Sequence, residues 1–180
     1  QIMFNEMQLR LKARFSIDLD INHCLGLIGS NLTHAHIYRV LTNHIVGHDM
    51  DSPIIGESEV VAWEGIPYFL DNIKNSKVIM IVRDPRDVLV SFKKNTIATG
   101  NDYLVSVFNS VGSMKSWIEY EKTYSERFLG ICFEELKSDP ESITHDITDF
   151  LNIEFESAML DSRQWKVLHG NGWKEWENHN

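Results

Sequence analysis

Five consecutive apolar residues, Val78-Ile79-Met80-Ile81-Val82, stop abruptly at Arg83-Asp84-Pro85. The run is mostly β-branched and continuous rather than alternating. It therefore reads as a strand covered on both faces, as inside a parallel sheet. Asp followed by Pro reads as a helix N-cap and first helical residue, and Val88, Leu89 and Phe92 carry that helix forward. The segment Phe128 to Phe133 repeats the strand. Asp139-Pro140 repeats the helix start, with Ile143, Ile147, Phe150 and Leu151 following. Between the two units a longer helix is expected over about 103–124, with Val107, Val111, Met114 and Ile118 on one face. Strands alternating with helices give the α/β class, a central parallel β-sheet flanked by helices.

Upstream, Cys24-Leu25-Gly26-Leu27-Ile28-Gly29 is an apolar segment of buried-strand length. Ser30-Asn31-Leu32-Thr33 can cap a helix, and Ile37, Val40, Leu41 and Ile45 repeat at helical spacing. Residues 1–16 mix apolar and basic positions and are expected as a short helix. No repeat, low-complexity tract or Pro/Gly/Ser linker interrupts the chain, so one domain over 1–180 is expected.

Composition narrows the partners. Lys and Arg number 17 against 26 Asp and Glu, a formal charge of −9. Such a chain lacks the positive footprint that nucleic acid requires, although one local basic pocket for a small anion is compatible with it. No apolar run approaches the ~20 residues that cross a bilayer. Cys24 and Cys132 are far apart in apolar stretches, so buried reduced thiols in a cytoplasmic, reducing compartment are expected. His34-x-His36 and His44-x3-His48 have spacings that can share a metal, but no Cys or carboxylate cluster completes them, and no metal is expected.

The chemistry is concentrated after the first strand. Arg83 stands at its carboxyl end, where α/β sheets place ligands, and a guanidinium grips phosphate through two parallel hydrogen bonds. Ser91, eight residues on, can add a hydroxyl from the helix, and Asp87 can hold either Arg83 or Arg86. A salt-bridged surface helix is the competing reading of the same charges.

The full register resembles the 3′-phosphate-binding segment of sulfotransferases that use 3′-phosphoadenosine 5′-phosphosulfate (PAPS). That segment reads hydrophobic strand, Arg, a polar-Pro dipeptide, a basic residue, Asp, apolar residues, then Ser eight after the Arg. Phe133-Glu134-Glu135-Leu136 is similar to the family's Tyr-Glu-Asp-Leu at a later strand end, with Phe150-Leu151 in place of its Phe-Leu. His169-Gly170-Asn171-Gly172-Trp173-Lys174 resembles the late Gly-rich loop that closes over the nucleotide.

The resemblance implies a P-loop-like nucleotide-binding architecture, PAPS as co-substrate without a metal, and sulfuryl transfer to a hydroxyl or amine of a small-molecule or carbohydrate acceptor. It assigns the 3′-phosphate to Arg83 and Ser91, and nucleotide contacts to Phe133, Gly170, Asn171 and Lys174. Phe133 stands where the family has Tyr, so packing is kept and a phenolic hydrogen bond is not. The 5′-phosphosulfate loop maps onto Gly29, Ser30, Asn31 and Thr33, where the family's Lys or Arg is missing and His34 or His36 is the available charge. For the acceptor-activating base the resemblance offers Glu59, then Glu57 and Glu64, each competing with a plain solvated carboxylate. Trp63 to Phe69 resembles the Glu-Lys-Thr-Pro-x-Tyr-Phe segment of carbohydrate-modifying members, with Gly65 in place of the Lys. A chain of 180 residues opening on Gln1 is short for this family and implies a compact or trimmed member. The alternative is a catalytically silent relative that binds nucleotide or a partner.

Overall fold

The structure is a computed structural model and describes residues 18–46, 63–95 and 102–161, with positions 12, 54 and 56. The chain packs as two compact units, residues 59–165 and residues 1–58 with 166–180.

The unit that contains residues 1–58 contributes α1 (Ile21–Ile28) and α2 (His34–Val46). Here the structure overturns an expectation. The apolar run Cys24–Gly29 belongs to a helix and its C-cap, not to a strand. The Asp20 carboxylate accepts from the His23 N–H at 2.9 Å and caps the start. Gly29, with φ of 52°, ends the helix in a conformation that L side chains rarely adopt. Starting at Ile21, the residues that turn inward are Ile21, Cys24 and Ile28, a helical spacing; they pack with Leu19 and Val40. In a window beginning at Cys24 that period is invisible. α2 forms as its spacing predicts, with Val40 fully buried and Ile37 and Leu41 packed around it.

The other unit holds the expected alternation. A 3₁₀ turn (Trp63–Gly65) leads into α3 (Ile66–Asn72), then β1 (Val78–Val82), α4 (Pro85–Asn95), α5 (Asp102–Thr123), β2 (Phe128–Cys132), α6 (Phe133–Ser138) and α7 (Pro140–Leu151), and a second 3₁₀ turn (Ser157–Leu160) follows. β1 and β2 pair in parallel, from Val78 opposite Phe128 to Val82 opposite Cys132. Among the described residues this two-stranded sheet is the only one. Asp139 caps α7 through the Ser142 N–H, as the Asp-Pro signal predicts.

Two details of the core differ from expectation. Met80 and Val82 are buried with Leu70, Tyr120 and Phe128, but Ile81 is 54% exposed. Strand side chains alternate, and α7 packs on β2; Ile131 is buried while its cross-strand neighbour Ile81 stays open. On α5 the expected apolar face is outward, with Val111, Met114 and Ile118 exposed. The inward face is aromatic and hydroxylated, carrying Ser110, Trp117 and Tyr120, with Tyr124 just past the helix end.

Gly130 makes that arrangement possible. A Cβ there would sit 1.8 Å from Trp117 Nε1 and 2.1 Å from Cε2, so only glycine lets the indole lie against β2. Gly130→Ala is expected to destabilise the protein by about 2 kcal/mol or more through overpacking. Gly26→Ala, on an exposed position of α1 with open space around it, is expected to stabilise by about 0.5–1 kcal/mol. Urea unfolding of both variants checks the contrast.

Candidate functional site

The parallel register decides what meets at the carboxyl end of the sheet. Val82 pairs with Cys132, so the next residues, Arg83 and Phe133, leave the two strands side by side. The Arg83 guanidinium carbon lies over the Phe133 ring, 4.9 Å from its centroid. Such a cation–π contact contributes about 0.5–1 kcal/mol and fixes where the cation sits. Arg83, Asp87, Phe133, Glu134, Lys137 and Ser138 line a cavity of about 380 Å³.

Among the described residues Arg83 forms no ion pair within 4 Å. Its Nε is buried without a hydrogen-bond partner among the described residues. A buried guanidinium donor left unmatched is costly, and an anion in the cavity would satisfy it. Lys137 adds a second cation to the lining, and Ser138 a hydroxyl.

Two neighbouring carboxylates, Asp84 and Glu134, are committed elsewhere. Asp84 Oδ1 accepts from the Arg86 N–H at 2.8 Å, and both carboxylate oxygens accept from the Arg86 side chain. Arg86 is thus held by Asp84, not by Asp87 as the sequence allowed. The hydrogen bonds from Arg86 pull the Asp84 carboxyl down to about 2. Glu134 lies further in. Its Oε1 accepts from the Asp84 N–H at 3.1 Å and its Oε2 from the Cys132 thiol at 3.0 Å. These bonds, the thiol's first, hold the Glu134 carboxyl below its usual range, while the same contact and burial push the Cys132 thiol up.

Ser91 is half-buried on α4, one turn beyond Asp87 and therefore on the same helix face. It does not itself line the cavity. Phe133, expected against the nucleotide, lines the cavity as the platform beneath Arg83. Glu64 is exposed in the 3₁₀ turn before α3. Glu57, Glu59, Gly170, Asn171 and Lys174 lie outside the described residues.

Gly29, Ser30, Asn31, Thr33 and His34 belong to the other unit, where they connect helix to helix instead of strand to helix. Their polar groups bond locally: Asn31 Oδ1 accepts from the Thr33 N–H and hydroxyl, and Thr33 Oγ1 accepts from the His36 N–H. His36 Nε2 lies 3.2 Å from the Leu27 carbonyl. Among the described residues no cluster of three His, Cys, Asp or Glu could hold a metal ion, and no helix is long and apolar enough to cross a membrane.

The model of the sulfotransferase domain matches residues 66–168, more than half of the chain. The chain belongs to the sulfotransferase domain family. The matched stretch contains both strands, Arg83, Ser91 and the Phe133-Glu134 pair, so the resemblance read from those segments is that of the whole region. The family's chemistry is sulfuryl transfer. No solved structure matches the chain.

Glu134, Lys137 and Ser138 had no role in the sequence reading. They are brought to the site by the register of the two parallel strands, which sets their following segments side by side.

Asp84 offers a pH test. Its pKa is depressed on folding, so the stability it contributes is complete above its ordinary value of 3.8 and is lost as pH falls through about 2. Arg86→Ala is expected to return the Asp84 carboxyl toward 3.8, as read by carbon NMR titration of that side chain.

Proposed function

We propose that this chain transfers a sulfuryl group from PAPS to a hydroxyl or amine on a small-molecule or carbohydrate acceptor, and that Arg83 and Ser91 hold the donor's 3′-phosphate. One observation carries the reading: Arg83 stands at a strand end, stacked on Phe133, with a buried guanidinium donor unmatched beside a cavity. A phosphate monoester is dianionic and supplies the acceptors that such a donor lacks. PAPS, when bound, supplies the sulfuryl group and a bisphosphate leaving group.

The residues would bind, orient and deprotonate. Arg83 would grip two phosphate oxygens, and the Ser91 hydroxyl would donate from the same side of α4. A carboxylate would take the acceptor proton as the acceptor oxygen or nitrogen attacks sulfur in line and the bond to the departing phosphate breaks. Glu59, Glu57 and Glu64 are the candidates for that base. Gly170, Asn171 and Lys174 would close over the nucleotide. For the 5′-phosphosulfate the sequence offers Gly29, Ser30, Asn31, Thr33 and His34, which lead into the N-terminus of α2.

A second reading has its own support. The Gly29–His34 connection follows a helix and holds no Lys or Arg, and without a cation the transferring group is poorly stabilised. A relative that binds nucleotide without transfer meets that condition.

Titration with adenosine 3′,5′-bisphosphate tests the shared part. Arg83→Ala is expected to weaken binding about 100-fold through loss of paired charge-assisted bonds, and Ser91→Ala about 5- to 10-fold. Unchanged affinity in Arg83→Ala would sink the assignment. Labelled sulfate moving from PAPS to any member of an acceptor panel supports the enzyme; tight nucleotide binding with no transfer supports the silent relative.

A further inference from the structure

A guanidinium can be aimed only as well as the backbone that carries it. Arg83 and Asp84 share one peptide unit between the last paired residue of β1 and the first turn of α4. That unit lies beyond the sheet register, so neither its carbonyl nor its N–H belongs to the β1–β2 ladder. Both ends are nevertheless engaged. The Ser110 hydroxyl of α5 donates to the Arg83 carbonyl at 3.0 Å, and Glu134 Oε1 of α6 accepts from the Asp84 N–H at 3.1 Å.

We propose that Ser110 and Glu134 clamp the Arg83–Asp84 peptide plane and act as positioning residues for the 3′-phosphate site, an inference that rests on the assignment of that phosphate to Arg83. Two groups from different elements fix the rotation of one plane, and with it the direction of the Arg83 side chain. Glu134 is itself anchored, because its second oxygen accepts from the Cys132 thiol at 3.0 Å. The Asp84 carboxylate serves Arg86, so it neither replaces Glu134 nor competes for Arg83. Glu134 lines the same cavity as Arg83 yet forms no ion pair with it within 4 Å. It steers the cation through the backbone and leaves the charge available.

The test uses the full chain and two probes, adenosine 3′,5′-bisphosphate and adenosine 5′-monophosphate, with thermal unfolding recorded for every variant. Glu134→Ala is expected to weaken the bisphosphate about tenfold, the scale of one lost charge-assisted hydrogen bond, and to leave the 5′-monophosphate unchanged. Glu134→Gln keeps an oxygen acceptor for the Asp84 N–H and is expected to stay within about threefold of wild type. A merely structural residue would lower both affinities together. Ser110→Ala removes the other side of the clamp and is expected to give the same selective loss, which keeps the test open if Glu134→Ala does not fold. Equal losses for both probes, or wild-type affinity in Glu134→Ala or in folded Ser110→Ala, overturn the proposal. So does a loss in Glu134→Gln as large as in Glu134→Ala. Failure of the wild type to bind the bisphosphate, or indifference to Arg83→Ala, instead removes the phosphate assignment beneath it.

Discussion

Everything at the candidate site depends on one pairing, the parallel alignment of β1 and β2 that sets Val82 opposite Cys132. Parallel strands leave the sheet at the same end, so the chain continues twice in the same direction from adjacent places. Arg83 thereby finds Phe133, and Asp84 finds Glu134, across 50 residues of sequence. A slip of one residue would reverse every side chain on the moved strand, and both contacts would be lost together. Register is protected by Gly130, the only residue type that admits the Trp117 indole at that point of β2.

Charge is distributed with economy around this junction. The chain as a whole is acidic, at −9, and a site proposed to take an anion must be kept from being quenched by its own carboxylates. Asp84 is paired to Arg86 and Glu134 to an N–H and a thiol. Two carboxylates next to the guanidinium in sequence or in space are therefore occupied, and the cation is left facing the cavity with Phe133 behind it. Lys137 on α6 adds a positive charge from the helix that follows β2.

Much of this was legible before the fold. The continuous apolar runs marked both strands, Asp-Pro marked both helix starts, and Arg83 with Ser91 marked the family, because each signal is local. What escaped was decided by context. Cys24–Gly29 looked like a strand because a six-residue apolar run has no period of its own; the Asp20 cap and Ile21 supply it. Val107, Val111, Met114 and Ile118 share a helical face, yet that face is not the one against the sheet, since Trp117 and Tyr120 bring more surface to the core. Glu134 was visible as a letter of a motif, but its role is a contact with a backbone N–H, and no sequence pattern displays the partner of a peptide group.

Phenylalanine at position 133, where the resemblance implies tyrosine, has a consequence beyond the missing hydroxyl. A phenol would offer oxygen lone pairs close to the cation. A bare ring attracts a guanidinium through its quadrupole while offering it no lone pair to bind. Phe133 thus works as a dry bearing: it sets the height of Arg83 above the sheet end and leaves its donors to the visitor. Under the proposed assignment, discrimination at this end of the pocket would fall to the incoming anion's own geometry, a planar carboxylate and a tetrahedral phosphate differing in how many of those donors each can reach.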